Sequence, residues 1–316
     1  MSSIIPTHTD LVQAYNRVAP HVHRTPVLTS KLLNQRAGAS IFFKCENLQR
    51  MGAFKMRGAI NAIQCLSKDQ RAAGVVTHSS GNFAQALSLA ARELNVPAYI
   101  VMPNNAPQVK KDAVADYGGQ ITQSEPTLAA REAAANAIVK ATGASFIHPS
   151  NNTAVILGQG TAAYELLEDH PNLNVILTPV GGGGLLAGTA LACAYLGANC
   201  EPIAGEPMAA DDAFRSLLTG TIQTNESAHT IADGLKTQLG DLNFPIILKH
   251  VTTIIRVEES EIIAAMRLIW ERMKIIIEPS CAVPFAAVLK TPERFAGKRV
   301  GIVLSGGNVD LSNLPF

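Results

Sequence analysis

Asn174 to Gly197 reads NVILTPVGGGGLLAGTALACAYLG, three kinds of sequence in succession. Val175 to Pro179 is a short apolar run of strand length, Gly181 to Gly184 lacks four consecutive Cβ atoms, and Leu185 to Leu196 is an apolar run of helix length. A membrane-spanning helix is the rival reading, because no charged side chain occurs from Pro171 to Cys200 and Gly184 and Gly188 form a small-xxx-small pair. Such a helix would carry Pro179 and four glycines at its centre, each of which weakens it. A buried strand, a glycine turn and a buried helix explain the same residues better.

Outward from this stretch the pattern repeats. Strand-like runs at Ser40 to Cys45, Gly74 to Thr77, Ala98 to Met102, Ser145 to Ile147, Pro202 to Gly205, Thr252 to Val257 and Arg299 to Leu304 alternate with helix-like segments. In Glu258 to Met273, Ile262, Met266, Ile269 and Met273 make one apolar stripe, and Glu258, Glu259 and Glu261 crowd the electropositive start. Alternation of this kind predicts an α/β protein with open, mainly parallel sheets covered by helices. At 316 residues the chain is long enough for two domains. With 47% hydrophobic but only 5% aromatic residues, its core must be built mainly from aliphatic side chains.

Charge narrows the function. Twenty-six Lys and Arg against 25 Asp and Glu, with 16% charged residues, offer no field for a nucleic-acid backbone and too little charge for disorder. Cys45, Cys65, Cys193, Cys200 and Cys281 are scattered and odd in number, which reads as buried or free thiols in a reducing compartment. The first ten residues lack a basic and apolar export signal, so a cytoplasmic location is expected, without membrane partners.

Four turn-rich segments follow predicted strands: Gly52 to Lys55, Ser79 to Asn82, Gly181 to Gly184 and Ser305 to Asn308. Ligands of open α/β sheets bind at the carboxyl ends of the strands, so the four loops are expected to share one cleft. Gly181 to Gly184 can cradle a phosphate on bare backbone N–H groups at a helix start. Gly182-x-Gly184-x-x-Ala187 also meets a dinucleotide fingerprint, with Glu201 or Glu206 further on, so a nicotinamide-dependent oxidoreductase is the rival. Lys55, between Phe54 and Met56, is either a solvated charge or a desolvated amine suited to a Schiff base. Ser79 to Asn82 and Ser305 to Asn308 are equally readable as helix caps.

Together the segments FFKCENLQRMGAFKMRGAINAI, THSSGNFAQALSLAA, PVGGGGLLAG, GEPMAADD, EPSCAV and VLSGGN, in that order along nearly the whole chain, resemble the fold-type II pyridoxal-phosphate enzymes. The chain is most similar to their serine racemase, serine/threonine dehydratase and 3-hydroxyaspartate dehydratase group. The resemblance implies that Lys55 binds pyridoxal phosphate covalently and that Phe54 packs on its ring. It further implies that Asn82 bonds the ring's 3-oxygen, that Gly181, Gly182, Gly183 and Gly184 hold the phosphate, and that Ser305 faces the ring nitrogen. Ser79, Ser80, Gly81 and Asn82 would bind the substrate carboxylate, with Ser80 on the face opposite Lys55. Lys55 would then remove the α-proton of an amino acid. Loss of a β-hydroxyl from L-serine, L-threonine or 3-hydroxyaspartate yields a 2-oxo acid and ammonia; a proton returned by Ser80 gives racemisation instead.

Other implications concern shape and specificity. Residues 68–150 would form a small domain inserted between the two parts of a larger one, 1–67 and 151–316, with the cofactor between them and a homodimer as the assembly. Glu206, Ala210 and Asp212 match a structural Mg²⁺ or Ca²⁺ site, or else a polar helix start capped by Asp211 or Asp212. Arg131 matches an arginine that meets a second carboxylate in relatives, or else is a solvated helix residue beside Glu132. Departures from the family pattern are Phe83 in place of histidine, Ser150 in place of asparagine, and Arg50-Met51 where nucleotide-activated racemases carry Lys-Thr. With the chain ending at Phe316, no effector domain is expected.

Overall fold

Ten strands, falling into two sheets, occur among the described residues, 5–316, of a computed structural model. Residues 1–4, part of the stretch read for an export signal, lie outside the described residues. The strands are β1 (Val27–Leu28), β2 (Ser40–Cys45), β3 (Val75–His78), β4 (Ala98–Pro103), β5 (Gln120–Ser124), β6 (Ser145–Phe146), β7 (Val175–Pro179), β8 (Glu201–Pro207), β9 (Thr253–Val257) and β10 (Arg299–Leu304). The larger sheet has the order β1-β2-β10-β7-β8-β9 and the smaller β5-β4-β3-β6. All pairings are parallel except β1 with β2. The chain leaves the larger sheet after β2, builds the smaller one, and returns at β7.

Every residue of β7 is buried, as parallel strands covered on both faces require. On one face of the larger sheet Phe43, Ile302 and Leu177 pack with Phe285 and Ile269 from the helices Pro279–Lys290 and Glu259–Met273. The predicted stripe holds there, with Ile262, Met266 and Ile269 buried. On the other face lie the helices Thr153–Asp169 and Gly184–Leu196. They approach closely: a Cβ on Gly160 would come 2.7 Å from the Gly188 carbonyl oxygen. The small-residue spacing that raised a membrane reading therefore serves helix packing inside the protein, and no helix among the described residues is long and apolar enough to cross a membrane.

Two strands escape the sequence reading. β1 has only two residues, and β5 is the polar edge segment QITQS, whose residues are half-buried or exposed. Neither carries the apolar run that marks the central strands. Because the sheets are mainly parallel, loops leaving β2, β7, β8 and β10 emerge from one edge.

Candidate active site

Lys55 begins the helix Lys55–Gln64, and short backbone pairings hold the loop before it against the end of β10. Phe54 N donates to Ser305 O at 3.0 Å and Gly307 N donates to Gly52 O at 2.9 Å. Gly52 has φ +77°, and a Cβ there would come 2.7 Å from Asn308 Oδ1, so this turn requires glycine. The Lys55 amine donates to Pro149 O at 3.0 Å and sits 4.8 Å from the Phe54 ring centre and 5.9 Å from that of Phe83. Burial lowers its pKa to about 8, against the opposing attraction of Glu278. Phe83 is itself buried, packed with Met51 and Met56.

Gly181 to Gly184 leave the end of β7, and Gly183, at φ +80°, caps the helix Gly184–Leu196 without any side-chain hydrogen bond. The first helical bond runs from Ala187 N to Gly183 O at 2.9 Å, so the N–H groups before it have no helical acceptor. From behind, the run is wedged: a Cβ on Gly181 would come 2.7 Å from Leu235 Cα, and one on Gly184 would come 2.5 Å from Gln159 Oε1. The fully buried Asn243 braces it, donating through Nδ2 to Gly182 O at 2.8 Å and to Ser150 O at 3.3 Å.

The third loop, Ser79 to Asn82, is tied to Glu278 and to the fourth loop through one amide. Asn82 Nδ2 donates to Glu278 Oε1 and Oε2 at 3.0 and 3.1 Å, and Asn82 Oδ1 accepts from Asn308 Nδ2 at 2.9 Å. Glu278 is 4% exposed and lies against Gly306, where a Cβ would come 2.7 Å from its Oε1. Burial pushes its pKa up to about 7, with the Asn82 amide pulling the other way. The fold thus brings Phe54, Lys55, Asn82 and Ser305 together, with Ser79, Ser80 and Gly81 on the same loop as Asn82. Sequence reasoning assigned no role to Glu278, His148 or Asn243. His148 Nδ1 accepts from Ser150 N and Asn151 N at 3.2 and 2.8 Å, which fixes the turn whose Pro149 carbonyl receives the Lys55 amine. Glu278 does fall in the quoted segment EPSCAV, and His148 lies two residues before Ser150; Asn243 has no local pattern.

Arg131 lies in the first turn of the helix Leu128–Thr142. Its Nε is buried without a partner, and its charge acts on His78, the residue before Ser79. Arg50 is committed elsewhere, ion-paired with Glu93 and bonded to His21 O at 3.0 Å.

Glu206, Ala210 and Asp212 group with one another at the end of β8. Glu206 accepts from Ala213 N and Phe214 N at 2.9 and 2.8 Å, and Asp212 Oδ1 from Asn225 Nδ2 at 2.6 Å. Neither Asp211 nor Asp212 caps the helix Asp212–Thr219 by its side chain, as one reading expected, because Glu206 serves its N–H groups from the strand. Burial pushes Glu206 up to about 9 and Asp212 up to about 6. Among the described residues no cluster of three His, Cys, Asp or Glu side chains is suited to a metal; the expected set has two carboxylates and a carbonyl.

A phosphate-bearing aldehyde fits this cleft: a nucleophilic amine with lowered pKa stands at one side and an uncapped glycine helix start at another. Residues 18–306 match the family model for pyridoxal-phosphate dependent enzymes. The chain belongs to the pyridoxal-phosphate dependent enzyme family. It is an α/β enzyme of fold-type II, and the nicotinamide reading of Gly182 to Ala187 is set aside. It is 49% identical over 99% of both chains to the beta-hydroxyaspartate dehydratase of Paracoccus denitrificans, and 50% identical to the serine racemase of Dictyostelium discoideum, covering 98% of this chain and 96% of that one. The crystal structure of the Dictyostelium discoideum serine racemase superposes with a TM-score of 0.94 at 49% identity, covering 98% of this chain and all of that one.

Proposed function

We propose that this enzyme removes water from β-hydroxy amino acids, with 3-hydroxyaspartate as the preferred substrate and L-serine and L-threonine as lesser ones. The observation that carries the substrate choice is the buried, unpartnered Arg131 Nε beside His78, next to the loop Ser79 to Asn82. A guanidinium there suits the second carboxylate of the substrate, while Ser79, Ser80, Gly81 and Asn82 bind the first. In this reading Phe54, Lys55, Asn82, Gly181 to Gly184 and Ser305 hold pyridoxal phosphate. The cofactor supplies an electron sink for the electrons released at Cα. Lys55 takes the α-proton through its amine, whose lowered pKa keeps part of it neutral near pH 7. Departure of the hydroxyl and hydrolysis then yield the 2-oxo acid and ammonia.

Racemisation is the second reading, supported by the similarity to serine racemases and by Ser80 in the same loop, where it can return a proton to the opposite face. A panel of hydroxy amino acids, read for both oxo acid and D-isomer, separates the two. Arg131→Gln is expected to lower kcat/KM for 3-hydroxyaspartate about 100-fold and that for serine less than threefold, since one charge-assisted contact is worth roughly 2–3 kcal/mol. Equal losses on both substrates would remove Arg131 from the substrate site. In the same panel Ser80→Ala is expected to suppress D-isomer formation more than oxo-acid formation.

The domain division at residues 68–150 follows the excursion of the chain through the smaller sheet, a homodimer follows the family resemblance, and a cytoplasmic location is in keeping with the free cysteines. For the metal, the buried Asp212 Oδ2 has no partner, which fits a Mg²⁺ or Ca²⁺ held by Glu206, the Ala210 carbonyl and Asp212 with water. Its role is to stiffen this loop, so EDTA is expected to lower the melting temperature by several degrees, and added Mg²⁺ or Ca²⁺ to restore it. An unchanged melt would remove the metal.

A further inference from the structure

Cys193 and Cys200 lie away from the cleft and close to each other. Cys193 is in the last turn of the helix Gly184–Leu196, and Cys200 immediately precedes β8. The chain between them folds back tightly, with Gly197 N donating to Cys193 O at 3.1 Å and Cys200 N to Gly197 O at 3.3 Å. A Cβ on Gly197 would come 2.6 Å from the Cβ of Cys200, so this turn closes on glycine. It leaves the two sulfurs 3.8 Å apart, in contact and within about 2 Å of disulfide bonding distance.

Both residues line a cavity of about 340 Å³ with Ala190, Ala194, Pro202 and His250. Cys200, 8% exposed against 1% for Cys193, is the more accessible residue. The Cys193 thiol donates to Cys200 Sγ at 3.8 Å. That bond, together with burial, holds the Cys193 thiol well above the ordinary range. The two sulfurs are thus already differentiated into an attacking and a resolving partner.

We propose that Cys193 and Cys200 are a reversible redox modification site, oxidised to an intramolecular disulfide by a hydroperoxide. The Cys200 thiolate attacks the peroxide; an S–O bond forms, the O–O bond breaks, and the departing alkoxide or hydroxide takes up the thiol's proton. Cys193 then attacks the sulfenic sulfur; the S–S bond forms, the S–O bond breaks, and the leaving hydroxide takes the Cys193 proton to become water. Two electrons pass from the two thiols to one peroxide. The bond ties the last turn of the glycine-capped helix to the start of β8, about 14 Å along the helix from the glycines, and leaves turnover unchanged.

The test uses the full chain loaded with pyridoxal phosphate and carrying Cys65→Ser, which removes the exposed thiol. After hydrogen peroxide treatment, alkylation and digestion, the peptide holding both cysteines is expected to be about 2 Da lighter than its thiol form and to resist alkylation, and dithiothreitol is expected to restore it. With Cys193→Ser added, Cys200 is expected to stop at a sulfenic acid that dimedone traps; with Cys200→Ser instead, Cys193 is expected to stay reduced. Full alkylation of both cysteines after peroxide, or oxygen addition without loss of the two hydrogens, overturns the proposal.

Discussion

Lys55→Ala is expected to reduce formation of 2-oxo acid and ammonia by at least about 10³-fold, because under the proposed mechanism one substitution removes both the covalent anchor of the cofactor and the base for the α-proton. The fold should survive. Lys55 is partly exposed, its amine makes one protein hydrogen bond, to Pro149 O, and burial works against its charge, so its loss removes little that stabilises the chain. Melting temperature therefore separates a chemical defect from a folding defect. Wild-type protein is expected to be yellow, and borohydride to bleach it while fixing the cofactor to the Lys55 peptide; neither should occur in the variant. Turnover that persists in Lys55→Ala would exclude this residue as the base. The sign of the pH dependence follows from the same amine. A lysine whose pKa is lowered to about 8 is mostly protonated at pH 7 and mostly neutral at pH 9. Uptake of pyridoxal phosphate by cofactor-free protein should thus accelerate about tenfold over that interval, and an amine at the ordinary lysine value would still be climbing steeply at pH 10.

Why the sequence named Lys55 and Asn82 but not Glu278 has a physical basis. Lys55, Asn82, Ser305 and the glycines of 181 to 184 sit in or at the edge of turns, where small and polar residues interrupt apolar runs and so stand out along the chain. Glu278 is the residue before a proline-led helix, and in a single sequence it reads as an ordinary helix start. Its place between Asn82 and Gly306 arises only when β10 and the helix Pro279–Lys290 are brought together. Asn243 is similar: its two backbone acceptors are 61 and 93 residues away. The central strands were legible because burial on both faces demands unbroken apolar residues, whereas the edge strand β5 needs no such run. The capping of the helix Asp212–Thr219 by Glu206 is not legible in the sequence, since it reaches from the strand across seven residues and leaves no local signature.

Two residues beyond Lys55, Arg57 is expected to be among the most costly side chains to remove. It is fully buried, and its guanidinium donates to both oxygens of Glu46 at 2.7 and 2.8 Å and to both oxygens of Glu165 at 2.8 Å. Lys44, also fully buried, donates to Glu165 Oε2 at 2.6 Å and to Thr25 O at 2.8 Å, so two cations and two carboxylates balance inside the protein. Burial tends to raise the Glu46 pKa, but Arg57 and Lys44 outweigh it and hold the carboxyl below its ordinary value. A carboxylate with a depressed pKa stabilises the fold at neutral pH, and that contribution is lost as pH falls below about 4. Arg57→Met preserves much of the volume yet leaves two buried carboxylates facing one ammonium, which is expected to cost about 3–5 kcal/mol. Across a chain of this length that is a fall of roughly 5–8 °C in melting temperature. Arg267→Ala, which breaks an exposed pair with Glu271, is the control and should cost less than about 0.5 kcal/mol. Should Arg57→Met fail to fold, Glu165→Gln keeps the shape and removes one charge, and it too should melt well below the control. The network also reaches function, because Arg57 anchors the first turn of the helix that Lys55 begins. Variants here are therefore expected to weaken cofactor binding as well as stability, whereas Arg267→Ala leaves both intact. If the melts of Arg57→Met and Arg267→Ala coincide, the buried network contributes nothing to the fold and Lys55 is positioned by its loop alone.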